Sequence, residues 1–539
     1  MFQQDPDPIA ASLLISALVA AIPIVLLFVL LGVFKVKAPF AALAALAVAI
    51  VLAIAGWRMP VVQTLSAAGA GIFYGIFPIL WILVNALWVY KLTVATPWSE
   101  VFGRTIRSVS NDLRILSILV AFCFGALLES LAGFGAPVAI SAAMLLAAGM
   151  KPLKAAMVSL LANTAPVAFG ALAAPIFALV GVTGLPLHDL ASMAGRQTPF
   201  IAALVPLLLV FLVDGRRGVR ETWPVAVVAG VVFAIVQFVT SNFFAVELTD
   251  VFAAVATIIV VLLMLRVWHP RHEVSMGPDG EPPVVRPTLR EIAMSVAPYA
   301  VIIAVFSLAQ LPAIKGWLGE VGTVTFRWPG LDVVNAAGDP VAGQDMHFDH
   351  LKATGTLLFI SGLITVALYR IRPSLAARTY GATVKQLRWT IVTVTAVLGL
   401  SFVMNLSGQT STLGTALASA GGFFVVLSPL IGWIGVAITG SDTASNSLFG
   451  QLQVTAAAAT GLPPVLMAAA NSSAGVLGKM LSLQNLAVAS AAVGLEGSEN
   501  QLFRKLVPWS LGLLALITLL IVLQSSVFLW MVPTSVPGQ

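Results

Sequence analysis

Two carboxylates lie inside apolar stretches of this 539-residue chain, each beside a break that an uninterrupted helix would not contain. The first is Glu129, in GALLESLAGFGAPVAISAAML, just ahead of a turn that holds Gly133, Gly135 and Pro137. The second is Asp442, in GVAITGSDTASNSLFG, flanked by Ser441, Thr443, Ser445 and Asn446. A Gly-x-x-Pro turn follows each, Gly149 to Pro152 after 20 residues and Gly461 to Pro464 after 19. An Ala-Asn-hydroxyl triplet comes next, at Ala162, Asn163 and Thr164 and again at Ala470, Asn471 and Ser472, with Ser473 beyond. That last interval is four residues shorter in the second copy, about one helical turn, so the polar groups keep their face. A carboxylate at membrane depth costs about 2.5–3.5 kcal/mol on insertion scales and marks a functional position by default. Similar interruptions at corresponding places in two halves point to a transporter's binding site.

The chemistry such breaks allow is anion binding with proton transfer. An interrupted helix exposes N-terminal amides carrying about half an elementary positive charge. Glycine or serine lets a small carboxylate approach that backbone closely. Glu129 and Asp442 are the candidate proton carriers, neutral when loaded; the competing reading is a fixed ion pair or, for Asp442 beside Ser441 and Thr443, a helix cap. The candidate substrate contacts are Ser130, Gly133, Gly135, Asn163, Thr164, Arg196, Ser441, Thr443, Asn471, Ser472 and Ser473. Arg196 could clasp a carboxylate through its planar fork, or snorkel to the interface. The Asn and hydroxyl side chains could orient a hydroxy acid, or join helices through hydrogen bonds worth about 0.6 kcal/mol on average. Gly133, Gly135, Gly440 and Gly475 serve close helix packing equally well. Asn405, Ser407, Gln409 and Thr410 form a polar end to an apolar run, either on the pathway or in an outer loop. Lys479 is read either as a pathway cation or as a snorkelling residue.

The elements that must hold these residues follow from composition. Hydrophobic residues make up 59% and charged residues 9% of the chain, against roughly 25% charged in a soluble domain. Apolar runs of about twenty residues make the chain an all-α polytopic membrane protein rather than a barrel. The excess of 28 Lys and Arg over 22 Asp and Glu does not indicate nucleic acid, because the basic residues cluster between apolar runs as orientation signals. One cysteine, Cys123, excludes an intrachain disulfide and a cysteine metal cluster. No cleavable signal is evident, since the N-terminus is acidic and the first run is long enough to span.

Apolar runs and basic flanks predict spans at 9–34, 38–56, 72–90, 155–180, 190–213, 224–241, 251–267, 291–311, 351–369, 390–406, 464–493 and 506–530. Residues 115–149 and 423–460 read as re-entrant hairpins entering from opposite sides. Basic amphipathic segments at 96–114 and around Arg378, Lys385 and Arg388 precede the first hairpin and the tenth span. The layout is about twelve transmembrane helices plus two hairpins in an inverted-topology repeat. Its parts are 1–222, a connecting helix pair and inner loop at 223–290, and 291–539. The acidic, Gly/Pro-containing segment 312–350 is either an ordered outer cap or a loose loop.

The patterns ESLAGFGAPVAISAAML, ANTAPVAFGA, MAGRQTPF, GSDTASNSLFG and NSSAGVLGKM resemble the lactate permease family, which includes glycolate permeases, over essentially the whole chain. The resemblance implies proton-coupled secondary transport of L-lactate, often also D-lactate or glycolate, through the cytoplasmic (inner) membrane of a prokaryote. It implies a small hydroxy-monocarboxylate and a proton as partners within the bilayer, with no cofactor, no metal and no nucleic acid; the oligomeric state is open. A sodium-coupled carboxylate carrier of similar architecture is the alternative, with the hydroxyl-rich 441–446 turn as a cation cage. An enzyme is not expected: the spans hold no metal-binding His pair, nucleophile set or phosphate loop, and the five histidines fall in predicted loops. A passive channel would not need titratable groups at both breaks.

Overall fold

A computed structural model describes residues 1–98, 100–101, 110, 112–132, 135–274 and 287–533. Among these, ten helices are long and apolar enough to cross a membrane, or eleven if a bent pair counts as one span. Helix ends follow local chemistry. Ser12 caps Leu13–Gly32 by accepting from the Ile15 amide, and Thr288 and Glu291 form a reciprocal capping box on Leu289–Ala309. Proline opens Pro152–Ala162, Pro373–Ser407 and Pro464–Gly478, where its missing N–H would have had no partner.

Several elements differ from the predicted layout. The run 72–90 belongs to a longer interrupted span, Val61–Val94, whose kink lies at Phe77. Residues 190–213 and 224–241 are joined through Thr198–Phe243, which folds back at Asp214 and Gly215 with no separate loop. The basic piece around Arg378 is the first part of the long helix Pro373–Ser407, continuous with the run at 390–406. The other amphipathic segment, 96–114, lies largely outside the described residues. Thr354–Leu368 is an apolar helix of 15 residues, shorter than the ~20 that cross a bilayer. Length and composition therefore do not reach twelve spans plus two hairpins. His188, expected in a loop, lies in the first turn of Leu187–Ala194.

Residues 312–350 are ordered. Helix Pro312–Val321 precedes an antiparallel pair, Val324–Arg327 with Asp345–Phe348, while Phe2–Gln3 runs parallel to Val333–Val334. The Gln4 amide donates to the Asn405 and Leu406 carbonyls, so the N-terminal strand closes over the end of Pro373–Ser407.

Two helix–break–helix units lie where the hairpins were expected. The first joins Gly125–Ala132 to Ala136–Ala147, and the second joins Phe424–Thr439 to Asp442–Thr460. In each unit the two helices pack against each other. Gly135 (φ 83°) and Gly440 (φ 75°) take the left-handed conformation at these breaks. The return helices then interlock: Gly170–Thr183 packs on Asp442–Thr460, Leu187–Ala194 on Pro464–Gly478, and Leu483–Ala492 on Ala136–Ala147. Gly432 permits one of the closest approaches, since a Cβ there would lie 2.2 Å from the Asn471 carbonyl oxygen.

Candidate functional site

Glu129 sits one turn before the first break, 2% exposed. Its Oε2 accepts from Asn163 Nδ2 at 2.9 Å. Asn163 ends helix Pro152–Ala162, where the chain bends by 62° before Val167–Thr183. Beyond the break at 163–166 come a short 3-10 turn, Val167–Phe169, and left-handed backbone at Ala171, Leu172 and Ala173. Left-handed L-residues cost roughly 1–2 kcal/mol each, so packing must over-determine this bend. Gly170 brings it against the carboxylate: a Cβ there would lie 3.1 Å from Glu129 Oε1.

The other oxygen, Oε1, accepts from Lys479 Nζ at 2.5 Å, across 350 residues of sequence. Lys479 is 6% exposed and stands at the end of Pro464–Gly478, where the negative end of the helix dipole favours a cation. A 3-10 turn, Lys479–Leu481, follows, and Ser482 then caps Leu483–Ala492 by accepting from the Asn485 amide. The run 464–493, read as one span through Asn471–Ser473, is instead interrupted at the Lys479–Ser482 turn. Helix continues through Asn471 because side chains there meet side chains: Gln453 Nε2 donates to Asn471 Oδ1 at 3.1 Å, and Asn471 Nδ2 donates to Asn446 Oδ1 at 2.9 Å.

Asp442 opens helix Asp442–Thr460 immediately after the cap Ser441, whose Oγ accepts from the Ala444 amide. The carboxylate is 3% exposed. Its Oδ2 accepts from Ser472 Oγ at 2.5 Å and from Asn446 Nδ2 at 3.4 Å. Its Oδ1 has no hydrogen-bond partner among the described residues. Asn446 also donates to the Pro175 carbonyl at 3.0 Å, tying this cluster to the bent helix of the Glu129 side.

Glu129, Asp442 and Lys479 line one cavity of about 250 Å³. Gly170, Ala171 and Pro175 reach it from the first bend, and Thr439, Gly440, Ser441 and Thr443 from the second break. The opposite wall is largely apolar, with Leu27, Ile79, Leu83 and Val397, although Thr390 and Thr393 add hydroxyls. Among the described residues, the charged lining is two carboxyls and one ammonium, a formal balance of −1 when all are ionised. A small acid entering would bring the balance to −2, so the site favours uptake of a compensating cation.

The other residues singled out from the sequence divide. Ser441 and Thr443 line the cavity. Asn163 and Ser472 do not, but each holds one of its carboxylates. Ser130 and Thr164 donate back to the Leu127 and Leu161 carbonyls of their own helices. Ser473 is buried without a hydrogen-bond partner among the described residues. Gly135 faces Asn485 and Val488 of the neighbouring helix, a packing position, and Gly133 lies outside the described residues. Arg196 is away from the cavity: Nε donates to Asn242 Oδ1 at 2.8 Å and a terminal nitrogen donates to the Met531 carbonyl at 2.5 Å. Asn405 donates to the Val182 carbonyl and Gln409 to the Ala49 carbonyl, so both join helices.

The sequence model described as L-lactate permease matches residues 16–528. The chain belongs to the L-lactate permease family. It is 39% identical to the L-lactate permease of Bacillus subtilis, over 98% of this chain and 99% of that one. It is 40% identical to the glycolate permease GlcA of Escherichia coli, over 95% and 96%. As a family member it is a multi-pass transporter of the cytoplasmic membrane and not an enzyme. The structure of MtrF from Neisseria gonorrhoeae, described as illuminating a class of antimetabolite efflux pumps, aligns with a TM-score of 0.51 at 13% identity. That alignment covers 90% of this chain and 95% of the other, a likeness of fold alone.

Proposed function

We propose that this protein imports L-lactate, with glycolate and D-lactate as further substrates, by proton symport through the cavity between the two broken units. The observation that carries the reading is that three buried side chains, Glu129, Asp442 and Lys479, drawn from both halves of the chain, share one cavity. Family membership and the names of the relatives supply the substrate class. The charge balance supplies the coupling: an anion joining a site that is already −1 needs a proton on Glu129 or Asp442 to remain buried. The two units enter as inverted repeats, and their breaks allow the shared site to open alternately to either side.

A cavity of about 250 Å³ is far larger than the ~30 Å³ share of one water, so volume does not exclude a three-carbon acid. Discrimination rests on the polar wall: Ser441, Thr443 and Thr439 can meet a hydroxyl, and the apolar wall disfavours a second carboxylate. Proteoliposomes containing the pure protein test this reading. Labelled L-lactate and glycolate should accumulate when the outside is made acidic, without sodium, and succinate in roughly tenfold excess should compete poorly. Accumulation that follows a sodium gradient and ignores pH would instead favour a sodium-coupled carboxylate carrier.

A further inference from the structure

We infer that Lys479 is the residue that receives the substrate's carboxylate, exchanging its ion pair with Glu129 for one with the substrate as Glu129 takes up a proton. The inference rests on the proposed transport of a hydroxy-monocarboxylate and specifies how its site couples two solutes.

Geometry makes the exchange available. Lys479 and Glu129 are paired at 2.5 Å and both line the cavity, so an incoming carboxylate reaches the ammonium without helix rearrangement. An ammonium has three N–H donors, and in the described structure Lys479 Nζ donates to one acceptor, Glu129 Oε1. Its flexible four-carbon stem, standing at a helix end, can swing between two acceptors. Asn163 already donates to Oε2, which fixes where the proton goes. The new O–H bond forms at Oε1, the oxygen Lys479 leaves, while Oε2 keeps the Asn163 hydrogen bond in both states.

Charge makes the exchange obligatory. Before substrate arrives, Glu129 and Lys479 sum to zero. A carboxylate bound to Lys479 with Glu129 still ionised leaves the trio at −1 in a buried site. One proton on Glu129 returns the pair and substrate to zero, and the cavity with an ionised Asp442 to its starting −1, so each carboxylate brings one proton with it. Breaking a buried pair without compensation leaves an unpaired buried charge, which is what suppresses either solute binding alone.

Among the described residues, other charged groups around Glu129 are few. Asp250, at the start of the packed helix Thr249–Met264, is buried with Oδ1 accepting from Gln237. Asp442 lies on the same cavity. Helix Trp81–Val94, also packed on Gly125–Ala132, carries Tyr90 and Lys91 near its end. Lys154, on Pro152–Ala162, donates to the Val213 carbonyl. Lys479 is the cation that hydrogen-bonds the carboxylate.

Calorimetric titration of L-lactate into the purified protein, in two buffers of different ionisation enthalpy, counts protons taken up on binding. The unsubstituted protein should bind with proton uptake, its affinity falling up to about tenfold per pH unit on the alkaline side. Glu129→Gln should bind lactate with one proton fewer and a flatter pH profile. Lys479→Met should lose at least about 100-fold in affinity at every pH. The double variant Glu129→Gln/Lys479→Met removes both charges, should unfold near the temperature of the unsubstituted protein, and should show the same loss. Lactate binding by either Lys479→Met protein within about threefold of normal would overturn the role of Lys479. So would an unreduced proton count in Glu129→Gln. If the unsubstituted protein binds neither lactate nor glycolate at any pH, the hydroxy-acid reading falls and this inference falls with it. Normal binding lost only through Lys479 supports both.

Discussion

The two buried carboxylates hold corresponding places in the sequence but are held in different ways. Glu129 has a cation and an amide, one on each oxygen. Asp442 has a hydroxyl and an amide on one oxygen and, among the described residues, nothing on the other, and it sits at a helix N-terminus, where the dipole favours a negative charge. The first is an ion pair that can exchange partners. The second is a carboxyl held through one oxygen by two neutral side chains. A repeated pattern has therefore been given two electrostatic roles, and the lysine that separates them comes from the opposite half of the chain.

Removing each charge should separate the roles most strongly. A pH gradient of one unit is worth about 1.36 kcal/mol per proton, about tenfold accumulation for one coupled proton. In proteoliposomes, Glu129→Gln should bring accumulation to the outside level while exchange of labelled lactate continues. Asp442→Asn keeps a group that can accept from Ser472, so accumulation should persist at a reduced rate. Equal loss of accumulation in the two variants would mean that the carboxyls act as one titrating unit, and the contrast between them would disappear.

A smaller effect compares the groups that hold the carboxylates. Asn163→Ala deprives Glu129 Oε2 of its donor, and a hydrogen bond to a charged group is worth about 1.5–3 kcal/mol. Ser472→Ala deprives Asp442, and if that carboxyl rests in its neutral form the loss should be nearer 0.5–1.5 kcal/mol, roughly half. Unfolding followed under one detergent condition measures both. A Ser472→Ala cost equal to that of Asn163→Ala would show that Asp442 carries full charge at rest.

What was legible in the sequence was local. The breaks at Gly133–Pro137 and Ser441 were marked by glycine, proline and capping residues, and the structure turns the chain at Gly135 and Gly440. Each carboxylate also meets its own half's polar triplet, through Asn163 in one case and Ser472 in the other. The triplet at Asn471 stays within its helix because its polar side chains meet others, as Asn471 meets Gln453 and Asn446 here; the turn that ends that helix at Lys479 carried no such mark. The Lys479–Glu129 pair was not legible, since no periodicity links positions 350 residues apart. Nor did composition indicate the left-handed turn at Ala171 to Ala173, which small residues permit but do not announce. Charge counted over the whole chain says nothing about which buried groups face each other.

Arg196 gives the smallest expected effect on transport and tests the contrast from outside the cavity. From the sequence it could clasp a carboxylate or snorkel to the interface, a cation a few residues into an apolar run. Its partners are instead the Asn242 side chain and the Met531 carbonyl, and Gln524 donates to its backbone oxygen, so it ties Leu187–Ala194 to the end of Glu499–Gln524. Lys479 has the position Arg196 lacks, on the cavity wall and against a carboxylate. Arg196→Gln should therefore leave lactate affinity within about twofold while lowering stability by roughly 1–3 kcal/mol, because two partly buried acceptors lose a charged donor. The two readouts pull apart by design: affinity lost at unchanged stability would return Arg196 to the substrate and take the carboxylate from Lys479. Stability lost at unchanged affinity leaves a single cation for the anion to find, and that cation is already bound to the group that must accept the proton.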